Sequence, residues 1–140
     1  MPLRRLPADS LLEEELERAA ARRPGLRWAL EDGDDTLEIT CNPDSIGEAV
    51  ANLLDNAGRH ARSRVDARVR AAGEHVEIVV RDDGPGIPGD SIETAFHRFV
   101  SLDQHGGSGL GLPIARGIAE AHEGSLEYRD GEFVLRLPVL

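Results

Sequence analysis

Three groups of residues have the types and spacing to do chemistry. Asn52 and Asn56 lie four apart, with Arg59 and His60 one turn further on, so on a helix the four project along one ridge. Asparagine is an indifferent helix former that prefers caps and turns. Two of them beside an apolar stripe leave two readings open, a solvated polar face and a ligand-facing edge. Asp82 follows the apolar run Val76, Ile78, Val79, Val80 and precedes Gly84 and Gly86. A carboxylate there can accept a hydrogen bond from an exocyclic amine in a closed pocket, or merely form a turn. Gly107-Ser108-Gly109-Leu110-Gly111-Leu112 opens a helical stretch. Its glycines allow close backbone approach, and the helix N-terminus offers free N–H groups to an anion. A dinucleotide fingerprint is excluded, since that motif follows a strand within a strand–helix–strand unit and a loop precedes this one.

Those residues need a frame. The stripe at 46, 49, 50, 53, 54 and 57 predicts a central amphipathic helix. Asn42-Pro43 starts it as a cap and first-turn pair, and it runs to about residue 62. Residues 8–23 read as an earlier helix, capped by Asp9 or Ser10 and ended by Pro24-Gly25, with acidic residues first and arginines last, as the macrodipole prefers. Residues 26–30 and 36–41 read as strands of a hairpin around an acidic turn. Cys41 alternates with Leu37 and Ile39, which suits a buried strand residue better than a nucleophile.

Two further strands are predicted at 64–72 and 75–81, joined at Gly73. The first alternates Val65, Ala67, Val69 and Ala71, while the second suits a strand covered on more than one side. A rigid, glycine-rich segment follows at 82–89, then a short helix at 92–98 and a loop at 99–105. The glycine-opened helix extends to about residue 122 and Gly124 ends it. Strands at 125–129 and 132–138 form a hairpin over Asp130-Gly131. This order predicts a two-layer α/β sandwich (α+β), with a mixed, largely antiparallel sheet of about five strands against about three helices.

At 140 residues, 40% of them apolar and 30% charged, the chain is one globular domain. Its formal net charge of −10 argues against nucleic acid as a partner, despite the local run Arg59, Arg62, Arg64, Arg68, Arg70. No apolar run approaches the ~20 residues of a membrane span and no signal peptide is visible. The expectation is a cytoplasmic domain without membrane contact of its own, which leaves room for a membrane-anchored parent.

Four motifs occur in order at workable spacing: Asn52-Leu-Leu-Asp-Asn56-Ala-Gly-Arg59-His60, Asp82-Asp-Gly84-Pro-Gly86-Ile87, Phe96-His-Arg-Phe99 and Gly106-Gly-Ser-Gly109-Leu-Gly111-Leu. Together they closely resemble the N box (48–60), first glycine box (82–88), F box (96–99) and second glycine box (106–112) of the catalytic ATP-binding domain of sensor histidine kinases, with a lid at 99–107. The resemblance covers residues 6–138 and implies a Bergerat-type sandwich of the GHKL class. It further implies ATP and Mg²⁺ as ligands, with Asn56 on the metal, Arg59 at phosphate oxygens, His60 on the adenine side and Asp82 accepting from the adenine amine. Gly84, Gly86 and Ile87 would shape the base pocket. Gly107, Ser108, Gly109, Leu110, Gly111 and Leu112 would line the phosphates and hinge the lid.

Three departures accompany the resemblance. Six residues separate Phe99 from Gly106, a shorter lid than is usual, which implies weak or partner-dependent closure. His60 stands where tyrosine is frequent. All five histidines (His60, His75, His97, His105, His122) fall within the ATP-binding resemblance, so none has the context of a phosphoacceptor. The acceptor histidine is therefore expected on a dimerisation domain of the same parent or on a separate chain, with a response regulator beyond it.

The implied function is a protein histidine kinase's catalytic domain, inactive without the acceptor domain. Two other classes share the motifs. In the GHKL ATPases and the anti-sigma serine kinases, the position four before the metal-binding Asn is typically a Glu acting as general base. Here it is Asn52, which cannot take a proton. This favours the histidine kinase, because imidazole needs much less deprotonation than water or serine. The third class is a non-catalytic nucleotide-binding module.

Overall fold

The computed structural model describes residues 2–31, 36–96 and 111–139. Among these the elements run β1 (Arg4–Pro7), α1 (Ala8–Arg22), β2 (Arg27–Leu30), β3 (Glu38–Cys41), α2 (Pro43–His60), β4 (Arg64–Ala72) and β5 (His75–Asp82). A 3₁₀ turn (Gly89–Ser91), α3 (Ile92–Ala95), α4 (Gly111–Ala121), β6 (Ser125–Arg129) and β7 (Glu132–Pro138) follow. The main sheet has the order β2-β4-β5-β7-β6, with β2 parallel to β4 and every other pair antiparallel. The helices cover one face, giving the expected two-layer sandwich.

The core forms where the helical stripe meets the alternating strands. Ile46, Val50, Leu53 and Leu54 of α2 are fully buried, as are Val65 of β4, Ile78 of β5 and Leu135 of β7. Burying each such side chain contributes about 1.5–3 kcal/mol, so α2 is held by its packing rather than by helix propensity. Its start is as expected. Asn42 is the N-cap, its side-chain oxygen accepts the Ser45 N–H at 3.0 Å, and Pro43 follows in the first turn. Cys41 is buried, and burial pushes its thiol up to about 11, which leaves it inert.

The N-terminal third departs from expectation. The strands at 26–30 and 36–41 do not pair with each other. Strand β2 joins the main sheet beside β4, while β3 pairs with β1, at residues 4–7, for which the sequence reading had no element. Arg27 N–H and Glu31 N–H donate to Ser63 O and Ala67 O, so the parallel ladder takes up β2's donors. Helix α1 begins after Pro7 with no side-chain cap, whereas Asp9 or Ser10 was expected there. The Ala8 N–H donates instead to Leu37 O at 3.0 Å, a tertiary contact replacing a local one. Helix α2 ends at His60, two residues early, with Ala61 as its C-cap.

Strand β5 is buried on both faces, with Val76, Glu77, Ile78, Val79 and Val80 all buried. On its outer face Val79 lies between Arg68 of β4 and Val134 of β7, and Glu77 lies between Arg70 and Arg136. Glu77 is only 3% exposed and meets Arg70 at 2.6 Å, with Arg129 and Arg136 each at 3.6 Å. Three guanidinium groups thus meet this one buried carboxylate. Arg64 likewise pairs with Asp66, and Arg68 with Glu31 and Glu132.

The end of α4 carries local strain. Gly124 N–H closes onto Ala119 O at 2.8 Å, but the residue in the left-handed conformation is Glu123, at φ 61°. A side chain there costs roughly 1–2 kcal/mol, partly offset by the extra freedom glycine has when unfolded. Glu123→Gly is expected to stabilise the domain by about 0.5–1 kcal/mol, raising the thermal midpoint by about 1–4 °C. An unchanged or lower midpoint in a thermal melt contradicts this.

Candidate nucleotide-binding site

Helix α2 places its ridge along the rim of the helical layer. Asn52, Asn56, Arg59 and His60 are all half-buried, beside the fully buried stripe. Asp55, one turn before Arg59, holds that guanidinium at 2.9 Å and reaches Arg23 at 3.7 Å. No hydrogen bond engages the Asn52 or Asn56 amide among the described residues.

Strand β5 delivers Asp82 to the end of α2. One carboxylate oxygen accepts the Gly84 N–H at 2.7 Å. Burial pushes the carboxyl up from its ordinary value, opposed by that N–H and by His60. Gly84 fits because it has no side chain, since a Cβ there would lie 2.0 Å from the His60 carbonyl oxygen. The first glycine box is thus seated directly on the last turn of the N-box helix.

Asp83, which the sequence reading passed over, supplies the other half of this junction. Its carboxylate accepts the N–H groups of Arg62 (2.8 Å), Ser63 (3.0 Å) and Arg64 (3.2 Å), and the Ser63 hydroxyl. Those bonds, the hydroxyl's first, hold its pKa well below the usual carboxylate range. They also explain why α2 stops early: Asp83 takes the N–H groups that a longer helix would use. The signal was a second carboxylate two residues before the Pro-Gly pair, which reads locally as turn chemistry.

Farther along the box, Gly86 has φ 79° and the Ile87 N–H donates to the Tyr128 hydroxyl at 3.0 Å. Beside Asn52, Gly111 opens α4 with its Cβ direction 3.8 Å from the Asn52 side chain, and Leu112 is buried. Phe96 of the F box is buried, with the Arg116 guanidinium 5.0 Å above its ring. His97, Arg98 and Phe99, the lid, and Gly106, Gly107, Ser108, Gly109 and Leu110 lie outside the described residues.

His122 joins the two helices from behind. Its Nε2 accepts the Asn42 N–H at 3.1 Å, so its Nδ1–H donates to Ile118 O at 2.8 Å. The ring is 8% exposed and both nitrogens are engaged, which leaves no lone pair for chemistry.

The chain is similar to known proteins. Residues 41–140 match the model of the histidine kinase-, DNA gyrase B-, and HSP90-like ATPase family. The chain belongs to this family. Within it, the domain is of the sensor histidine kinase type. It is 32% identical over 151 residues to the probable sensor histidine kinase TcrY of Mycobacterium tuberculosis, covering 99% of this chain and 32% of that protein. It is 42% identical over 80 residues to the sensor protein PhoQ of Escherichia coli, covering 56% of this chain and 16% of that protein. The chain therefore spans a third or less of these relatives. The ATP-binding domain of PrrB from Mycobacterium tuberculosis superposes with a TM-score of 0.81 at 28% identity, covering 99% of this chain and 98% of that one. The mycobacterial sensor histidine kinase MprB superposes equally, at 0.81 and 27% identity, covering 99% of this chain and all of that one. The fold and the family assignment expected from the four motifs stand. No helix among the described residues is long and apolar enough to cross a membrane.

Proposed function

We propose that this domain binds ATP with Mg²⁺ and presents the γ-phosphoryl group to a histidine on a separate dimerisation domain or chain, from which a response regulator is then served. The observation that carries the reading is the junction of Asp82 with the end of α2. A partly buried carboxylate, one oxygen fixed by Gly84, sits beside a ridge of two amides, a guanidinium and an imidazole.

Each residue has a role in this reading. Asp82 accepts from the adenine amine, and Gly84, Gly86 and Ile87 shape the base pocket beside His60. Arg59, aimed by Asp55, meets phosphate oxygens. Gly107, Ser108, Gly109, Leu110, Gly111 and Leu112 line the phosphates. Asn56 is the one protein ligand for the metal. The donor set fits a cation that arrives with its nucleotide. Among the described residues no cluster of three or more His, Cys, Asp or Glu side chains could hold a metal, and a neutral amide oxygen suits Mg²⁺ when phosphates and water complete the shell. The bound ion would neutralise phosphate charge. The chain's own contribution is positioning, because phosphoryl transfer leaves little covalent chemistry to the protein.

Titration calorimetry with a non-hydrolysable ATP analogue, with and without Mg²⁺, tests this. Binding in the micromolar to millimolar range is expected, about −4 to −8 kcal/mol. Asp82→Ala should weaken ATP, ADP and adenosine alike by about 1.5–3 kcal/mol, the worth of a charge-assisted hydrogen bond. Asn56→Ala should instead remove most of the Mg²⁺ dependence. Absence of heat at millimolar ligand sinks the proposal.

A further inference from the structure

Tyr128 is the chain's single tyrosine, and it stands on β6, remote in sequence from all four motifs. Its hydroxyl accepts the Ile87 N–H at 3.0 Å, and a Cβ on Gly86 would lie 3.0 Å from the same oxygen. The ring pairs across the ladder with Phe133 of β7, edge to face, at 4.9 Å and 61°. Phe133 meets Phe96 at 6.2 Å and 80°, and Arg116 of α4 lies over Phe96. One contiguous stack thus runs from the first glycine box, through two strands and the F box, to the helix that the second glycine box opens.

The segment 84–88 has only three backbone donors. Pro85 and Pro88 lack an N–H, so its donors are Gly84, Gly86 and Ile87. Among the described residues Gly84 N–H is held by Asp82 and Ile87 N–H by Tyr128, while the Pro88 carbonyl accepts the Ser91 N–H at 2.9 Å, so two of the loop's own donors are tied. The first lies at the carboxylate and the second at the far end of the box. We propose that Tyr128 is a positioning residue of the nucleotide site. Its hydroxyl fixes the Gly86–Ile87 peptide that walls the base pocket, and its ring ties that wall to Phe96 and α4. This inference rests on the nucleotide reading above, and it concerns a residue outside the four motifs.

The test is Tyr128→Phe, which keeps the ring and its stacking and removes only the hydroxyl. Two measurements are made on the whole domain. Hydrogen exchange of the Ile87 amide without nucleotide should accelerate by about tenfold, while exchange at Val79 in the centre of the sheet stays as in wild type. The Kd for ADP should rise by about 3–10-fold, the worth of one net hydrogen bond, with the ratio of affinities with and without Mg²⁺ unchanged. A merely structural role would raise exchange at both amides and lower the thermal midpoint with the Kd unmoved. Wild-type Ile87 exchange in the variant, or an ADP Kd within about twofold of wild type, overturns the inference while leaving the nucleotide reading intact. A wild type that binds no adenine nucleotide overturns both that reading and the site role given to Tyr128, whatever the exchange of Ile87.

Discussion

Replacing Gly84 with alanine is expected to abolish nucleotide binding and to destabilise the domain more than any single truncation at the ridge. The added Cβ would lie 2.0 Å from the His60 carbonyl oxygen, 2.9 Å from its carbon and 2.7 Å from Asp82 Oδ1. His60 closes α2, whose stripe is buried, so the obstructing atoms are backbone of a packed helix and cannot swing aside. Relief has to come from the loop, which would lift away from α2. That movement breaks the Gly84 N–H bond to Asp82 and strains the Asp83 bonds to residues 62–64. Overpacking costs about 1–3 kcal/mol in general, and a backbone obstacle puts this site at the upper end. Denaturant unfolding and calorimetry with ADP together check it. A variant within about 0.5 kcal/mol of wild type that still binds ADP would show that the junction is not built as described.

The second large effect concerns water. Without a partner, the wild type is expected to release phosphate from ATP at close to the uncatalysed rate. Asn52 is half-buried one turn before Asn56 and lies against Gly111, the first residue of α4. In the proposed reading this places it beside the phosphates. Its amide can orient a water but has no useful basicity at neutral pH. General-base help is typically worth ~10²–10⁴-fold, and its absence leaves hydrolysis slow. A partner's histidine needs no such base, because neutral imidazole already offers a lone pair. Asn52→Glu should therefore bring a measurable gain in phosphate release, and Asn52→Ala no loss. Brisk hydrolysis by the wild type that disappears in Asn52→Ala would move the chain among the ATPases of its family.

Much of this architecture is legible residue by residue. The strands at 64–72, 125–129 and 132–138 fall where alternation and the Gly73 and Asp130-Gly131 turns place them. The cap at Asn42, the proline after it and the stripe of α2 are equally local. Period, cap and turn chemistry act over a few residues, so the order of amino acids determines them directly. The ridge is visible for the same reason, since spacing along one helix fixes which side chains share a face.

Tertiary structure alone decided the rest. Strand β2 reads as half a hairpin until the open edge of β4 offers a parallel partner, and residues 4–7 become a strand only because β3 is there to pair with them. Val79 looks like a residue between two layers, yet in the sheet it stands between Arg68 of β4 and Val134 of β7. Asp83 reads as turn chemistry until its carboxylate meets residues 62–64, and nothing near Tyr128 announces that its hydroxyl reaches Ile87, 41 residues away. In each case the partner lies far along the chain, and the contact exists because the sheet order sets those strands side by side. A local pattern states what a residue prefers, while the packing of distant segments determines what it meets.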